Sequence, residues 1–201
     1  MKKKIKYYIF NKPYNVLSQF TRESGSESIA DYFFIDIKDV YPIGRLDKDS
    51  EGLLILTNDK SMNALILSPK QNKSKTYMAQ VEGVFSREAS KRLKEGIPIT
   101  VDKKVHQTLP AHAKKVEKPK YLWDRNPPVR FRKDIPTSWV ELTLNEGKNR
   151  QVRKMLAAVG FPVLRLIRMS IEKLDLDQIA PGDIQEYNRQ DFFKKLGIRE
   201  V

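Results

Sequence analysis

The sequence predicts an α+β protein, and three stretches predict it. Leu53-Leu54-Ile55-Leu56 is apolar at four successive positions, the pattern of a strand buried on both faces. Lys75 to Gly83 alternates with period two, placing Tyr77, Ala79 and Val81 on one face and Thr76, Gln80 and Glu82 on the other. Between Arg150 and Gly160, Val152, Met155, Leu156 and Val159 fall at i, i+3, i+4 and i+7, which is an amphipathic helix closed by glycine. The sequence shows neither an internal repeat nor a clean domain boundary, so residues 1–201 are read as one domain.

The remaining elements follow in order. Residues 7 to 20 read as a strand, a turn at Lys12-Pro13, and a second short strand through Val16-Leu17. A polar loop covers 21 to 28, and the mixed stretch Ile29 to Ile37 predicts a short helix. Asn58-Asp59 can cap a helix over Ser61 to Leu67, which Ser68-Pro69 ends. Ser86 can cap another through Leu93, closed by Gly96. Short strands are expected around Pro110 within Ile97 to Val116. Residues 117 to 136, with Pro119, Pro127, Pro128 and Pro136 beside Trp123, Arg125, Arg130 and Arg132, show neither period. An ordered loop facing a nucleic acid and a plain surface insertion are both open readings of that stretch. Ser138 to Leu144 and Phe161 to Ile171 predict strands. Pro181-Gly182 predicts a turn, and Gln190 to Leu196 a last helix.

Composition narrows the function. Lys and Arg number 38 against 25 acidic residues, a formal charge of +13, which favours a polyanionic partner, most often nucleic acid. The excess is clustered: from Gly147 to Ile171 there are six basic residues and no acidic one. No apolar run approaches bilayer length, and the basic start Met1-Lys2-Lys3-Lys4 lacks the apolar core of a signal peptide. There is no cysteine, and two histidines, His106 and His112, make a poor zinc site. A cytoplasmic, monomeric protein without membrane contact is the expectation.

The stretch from Gly44 to Asp59 concentrates the chemistry. Five of the seven residues from Arg45 to Glu51 are charged, and the buried strand follows at once. Asp47, Asp49 and Glu51 are ordinary turn residues on one reading. On a second they open a calcium loop, but position 12 is Asn58 where a bidentate Glu is required. On the third, Asp47 is a catalytic carboxylate kept ionised by nearby arginines, held at the mouth of a rigid strand. Downstream, Arg150, Arg153 and Lys154 form a cationic stripe of uniform sign beside the apolar seam of the predicted helix.

Taken together, GRLDKDSEGLLILTND, KTYMAQVEG and EGKNRQVRKMLAAVGFPVLRLIR resemble the three sequence blocks of RNA pseudouridine synthases, in the branch that modifies bacterial ribosomal RNA. NKPYNVLSQF and the Thr108 to Ala111 stretch fit the same branch. The segment VRFRKDIPTSW, and the lack of room for a small RNA-binding module ahead of the catalytic domain, most resemble the synthase E group of that branch, which acts on large-subunit RNA. The resemblance implies a bent, mixed, mostly antiparallel sheet in two lobes with flanking helices and a central cleft. It implies that Asp47 is the essential carboxylate, that Arg45 fills the gap left by the flipped uridine, and that Tyr77 stacks on the base. Arg153 would pair with the aspartate, while Lys148, Arg150, Lys154, Arg165 and Arg168 would hold RNA phosphates. Without the motif, Tyr77 reads as a core tyrosine. Departures from the pattern are small: Ser50 stands for Thr, Lys148 and Lys154 for arginines, and residues 181 to 186 lack a tryptophan-arginine pair.

The implied reaction is isomerisation of uridine to pseudouridine in large-subunit ribosomal RNA. It breaks N1–C1′ and joins C5 to C1′ with no net oxidation, so the expectation is no cofactor and no metal. Two rivals stand beside it: the same reaction on small-subunit or transfer RNA, and a non-catalytic RNA-binding assembly factor. The second leaves Asp47, Tyr77 and Arg153 without a purpose.

Overall fold

The computed structural model describes residues 4–33, 39–130 and 132–199. In chain order its strands and helices are β1 (Tyr7–Lys12), β2 (Tyr41–Pro42), β3 (Glu51–Thr57), α1 (Ser61–Leu67), β4 (Lys75–Glu82), α2 (Arg87–Glu95), β5 (Pro98–Val101), β6 (Lys104–Gln107), β7 (His112–Val116), β8 (Thr137–Leu144), α3 (Gln151–Ala158), β9 (Val163–Ile171), β10 (Leu174–Asp175), β11 (Ile184–Tyr187) and α4 (Arg189–Lys195). The chain divides into two compact units. One comprises residues 1–73 and 169–201, the other 74–168. The first unit is discontinuous in sequence, so no linker composition marks its edge. Among the described residues, no helix is long and apolar enough to cross a membrane.

In the first unit β1 lies between β11 and β3, antiparallel to both. Every residue of β1 and of β3 is buried, so the apolar run Leu53 to Leu56 is covered on both faces, as its composition requires. One side packs Tyr8, Phe10, Val16, Leu46, Leu54 and Leu56 together. Elsewhere Tyr7 stacks on Phe192 of α4 with ring centroids 4.8 Å apart. The cap position of α1 is Lys60, one residue beyond the expected Asn58-Asp59 pair, and Asp59 Oδ1 accepts from the Ser61 N–H at 3.0 Å. The helix expected over 29–37 is a 3-10 turn at Ile29–Tyr32, and residues 34–38 lie outside the described residues. The strand expected at Val16-Leu17 is reduced to one bridge, Leu17 to Ser28.

In the second unit β8 lies between β4 and β7, antiparallel to both, in a register that runs Lys75↔Leu144 through Glu82↔Thr137. Tyr77, Ala79 and Val81 share a core with Val140, Leu142, Leu93 of α2 and Met155 of α3. That core occupies the face of β4 the alternation predicts. Ser86 Oγ accepts from the Ala89 N–H at 3.1 Å, the expected cap of α2. β5 and β6 form a separate antiparallel hairpin. Seven of the strand pairings are antiparallel, and the sheet is mixed and largely antiparallel, as the α+β expectation has it.

Candidate active-site residues and RNA-binding surface

Asp47 belongs to the first unit, where its backbone is fixed from both sides. On the N-terminal side, Leu46 is buried in the core with Leu54 and Leu56. Its N–H donates to Ser18 Oγ at 3.1 Å, and the same hydroxyl donates back to the Leu46 carbonyl at 2.8 Å. On the C-terminal side, the Lys48 carbonyl accepts from the Asn15 N–H at 2.8 Å. A turn closes the loop, the Ser50 N–H donating to the Asp47 carbonyl at 3.0 Å. Gly44 opens it at φ +71°, where a Cβ would sit 2.9 Å from the Leu67 side chain. Asp47 is half-buried and Arg45 is exposed. A backbone held between two such ties gives the Asp47 side chain a fixed point of attachment.

Behind the loop lies Lys12, a fully buried lysine. Its Nζ donates to the Pro13 and Val16 carbonyls at 2.8 Å and reaches the Lys48 carbonyl at 3.5 Å. The sequence places Lys12 in a turn and gives it no further part, and Ser18 carries no signal of its own. For Lys12 the local signal points the wrong way, because a lysine after polar Asn11 and before Pro13 reads as a surface turn.

Once Asp47, Arg45 and Tyr77 are set apart, the remaining predicted site residues are all cationic and lie in the second unit, and the structure sorts them. Lys148 and Arg150 are exposed, while Arg153 and Lys154 are half-buried along the first turn of α3. Arg150 takes the left-handed conformation at φ +53°, and its carbonyl accepts from the Lys154 N–H at 3.0 Å. Arg153 also reaches the Val163 carbonyl at 3.4 Å. Arg165 and Arg168 differ from these four, being 3% and 6% exposed. Arg165 donates to the Trp123 carbonyl at 2.9 Å, with its guanidinium carbon 5.7 Å from the Trp123 ring and 6.0 Å from that of Trp139. Tyr77 is 8% exposed in the core with Ala79 and Met155.

The loop that presents the cationic group is built on Glu146, another residue the sequence does not single out. Its carboxylate accepts from the Leu109 N–H at 2.8 Å, from His106 Nε2 at 2.9 Å, and from Gln151 Nε2. Gln151 in turn accepts from the Lys148 N–H at 2.9 Å through Oε1. Burial pushes the Glu146 carboxyl up. The donors from Leu109, His106 and Gln151 outweigh it, and the net shift is below the ordinary carboxylate value.

Residues 6–158 match the family model described as RNA pseudouridylate synthase. A protein of Vibrio parahaemolyticus named ribosomal large subunit pseudouridine synthase E is 48% identical over 90% of this chain and 73% of its own length. One of the same name from Xanthomonas axonopodis pv. citri is 44% identical over 86% of this chain and 89% of its own. A crystal structure described as pseudouridylate synthase superposes with a TM-score of 0.76 at 26% identity, covering 96% of this chain and 74% of that one.

Proposed function

The chain belongs to the RNA pseudouridylate synthase family, and from that premise we propose that it isomerises a specific uridine to pseudouridine in large-subunit ribosomal RNA. The observation that carries the reading is the similarity, at 44–48% identity over most of the chain, to proteins named as ribosomal large subunit pseudouridine synthases. The formal charge of +13 supports an RNA substrate independently.

The roles follow from what the reaction demands. Cleaving N1–C1′ requires a carboxylate near the sugar, as covalent catalysis often does. Asp47 fills that role, supported by a backbone tied at Leu46 and Lys48. The target atoms are inaccessible in stacked RNA, so the base must be extruded at a cost of a few kcal/mol. Arg45 is exposed and takes the vacated place. Tyr77 offers its ring to the detached uracil and is the candidate that removes the C5 proton. Arg153 supplies positive charge for the carboxylate.

Lys148, Arg150 and Lys154 contact phosphates from the loop braced by Glu146, and those contacts offset the extrusion. Burial assigns Arg165 a second duty: it anchors the proline-rich segment through the Trp123 carbonyl.

Because C5–H is lost as C5 joins C1′, the reaction releases tritium from RNA labelled at uridine C5. Purified wild type should release it from a large-subunit rRNA transcript. Folded Asp47→Asn should release none; normal turnover by that variant would remove Asp47 from the mechanism.

A further inference from the structure

The second unit carries a cavity of about 220 Å³ that none of the assigned residues line. Gln80 and Glu82 form one wall, paired across the sheet with Trp139 and Thr137. Alternation along β4 sets them on the face opposite Tyr77, so whatever binds here is not the reacting uridine. The opposing wall comes from the proline-rich segment, including Val129, Arg130, Lys133 and Ile135, and Leu164 adds an apolar surface.

We propose that this cavity is a subsite for a second, unpaired nucleotide of the same RNA, its base against Ile135 and Leu164 and its phosphate toward Arg130 and Lys133. The proposal rests on the reading of the chain as an RNA-modifying enzyme. Four features support it. The volume falls below the roughly 300 Å³ at which drug-sized pockets begin, which suits one nucleotide rather than a run of them. Its lining combines an apolar surface with amide and hydroxyl groups that can hydrogen-bond a base edge and guanidinium planes on which a splayed base can stack. Three cationic side chains face one carboxylate, Glu82, which Arg132 already engages at 2.9 Å. That leaves positive charge in excess.

The walls are also set in advance. Arg125 binds the Pro127 and Pro128 carbonyls at 2.8 and 3.1 Å and reaches that of Leu164 at 3.4 Å, so the segment is tied to the cavity's own apolar wall. The Gly83 N–H donates to the Pro136 carbonyl at 2.7 Å. A preformed pocket avoids ordering costs on binding. Within it the Gln80 amide meets Thr137 Oγ1 at only 3.4 Å, a weak bond that a base edge can replace.

The test measures tritium release from a C5-labelled large-subunit rRNA transcript across RNA and salt concentrations. The R130A/K133A enzyme, altered at two exposed positions, should need about tenfold more RNA for half-saturation, and its logarithmic salt slope should fall by about 2. Its rate at saturation should stay within about twofold of wild type, because no reacting atom is touched. Q80A should raise half-saturation about fivefold with the salt slope unchanged, since it removes a base contact and not a phosphate contact. A merely basic patch would not respond to Q80A. Wild-type half-saturation in either variant overturns the subsite while leaving the catalytic reading intact. If wild type itself releases no tritium, the catalytic reading falls, and photocrosslinking with a 4-thiouridine transcript then decides the subsite alone. A crosslink to residues 129–137 supports it, and none in that segment overturns it.

Discussion

Removing the Ser18 hydroxyl is a direct probe of how Asp47 is held. Ser18 is buried, and its Oγ both accepts from the Leu46 N–H at 3.1 Å and donates to the Leu46 carbonyl at 2.8 Å. Ser18→Ala removes one oxygen and leaves two backbone groups without that partner. An unsatisfied buried group costs about 1–3 kcal/mol, so the pair should cost about 2–4 kcal/mol after some relaxation. For a chain of this length that corresponds to a melting temperature lower by roughly 4–16 °C. The kinetic effect should exceed what partial unfolding explains, because Leu46 directly precedes Asp47 and small misplacements of a reacting group are costly. Thermal denaturation and tritium release measured at a temperature where the variant is fully folded separate the two effects. The rate at saturating RNA should fall while half-saturation stays near wild type, since Ser18 is remote in the chain from the loop proposed to bind phosphates. A variant with wild-type melting and wild-type turnover would refute the idea that this hydroxyl positions the carboxylate.

Three further perturbations test other supports. Lys12→Met keeps the volume of the buried stem but removes the donor to the Pro13 and Val16 carbonyls; urea unfolding should show a loss of about 2–4 kcal/mol, and an unchanged midpoint would contradict the assigned bracing. Gly96→Ala places a Cβ 2.5 Å from the Thr108 carbonyl oxygen at φ +79°, so it should destabilise by at least about 2 kcal/mol, read as a lower melting temperature. For Glu146 the folded carboxyl lies below its ordinary value of 4.5. Its contribution is therefore fully present above the unfolded value and lost as pH falls through the folded one. Wild type should exceed Glu146→Gln in stability at pH 7, and the gap should close below about pH 4.5. A gap independent of pH would contradict the charge-based role.

How much of this was legible in the sequence depended on whether a residue's surroundings were local. The apolar run at Leu53 to Leu56 and the seam of α3 declared themselves because burial of a whole face imposes a period, and both appear where expected. The two-residue strands β2 and β10 are too short to show a period, and β11 has exposed Gln185 and Glu186 at its centre. Those strands exist because longer neighbours offer them hydrogen bonds. Arg150 and Arg165 look alike in sequence, yet one is exposed and the other lies under Trp123, 42 residues away. No window around Arg165 contains that fact. The supports of the candidate site were the least visible part. Ser18 reaches Leu46 across 28 residues, and His106 reaches Glu146 across 40.

The most direct test of the central claim is a pseudouridine map of ribosomal and transfer RNA from cells lacking the protein, complemented with wild type or with Asp47→Asn. The account predicts one missing pseudouridine in large-subunit ribosomal RNA, restored by wild type and not by the variant. A map without any missing site, or restoration by both forms, would contradict it.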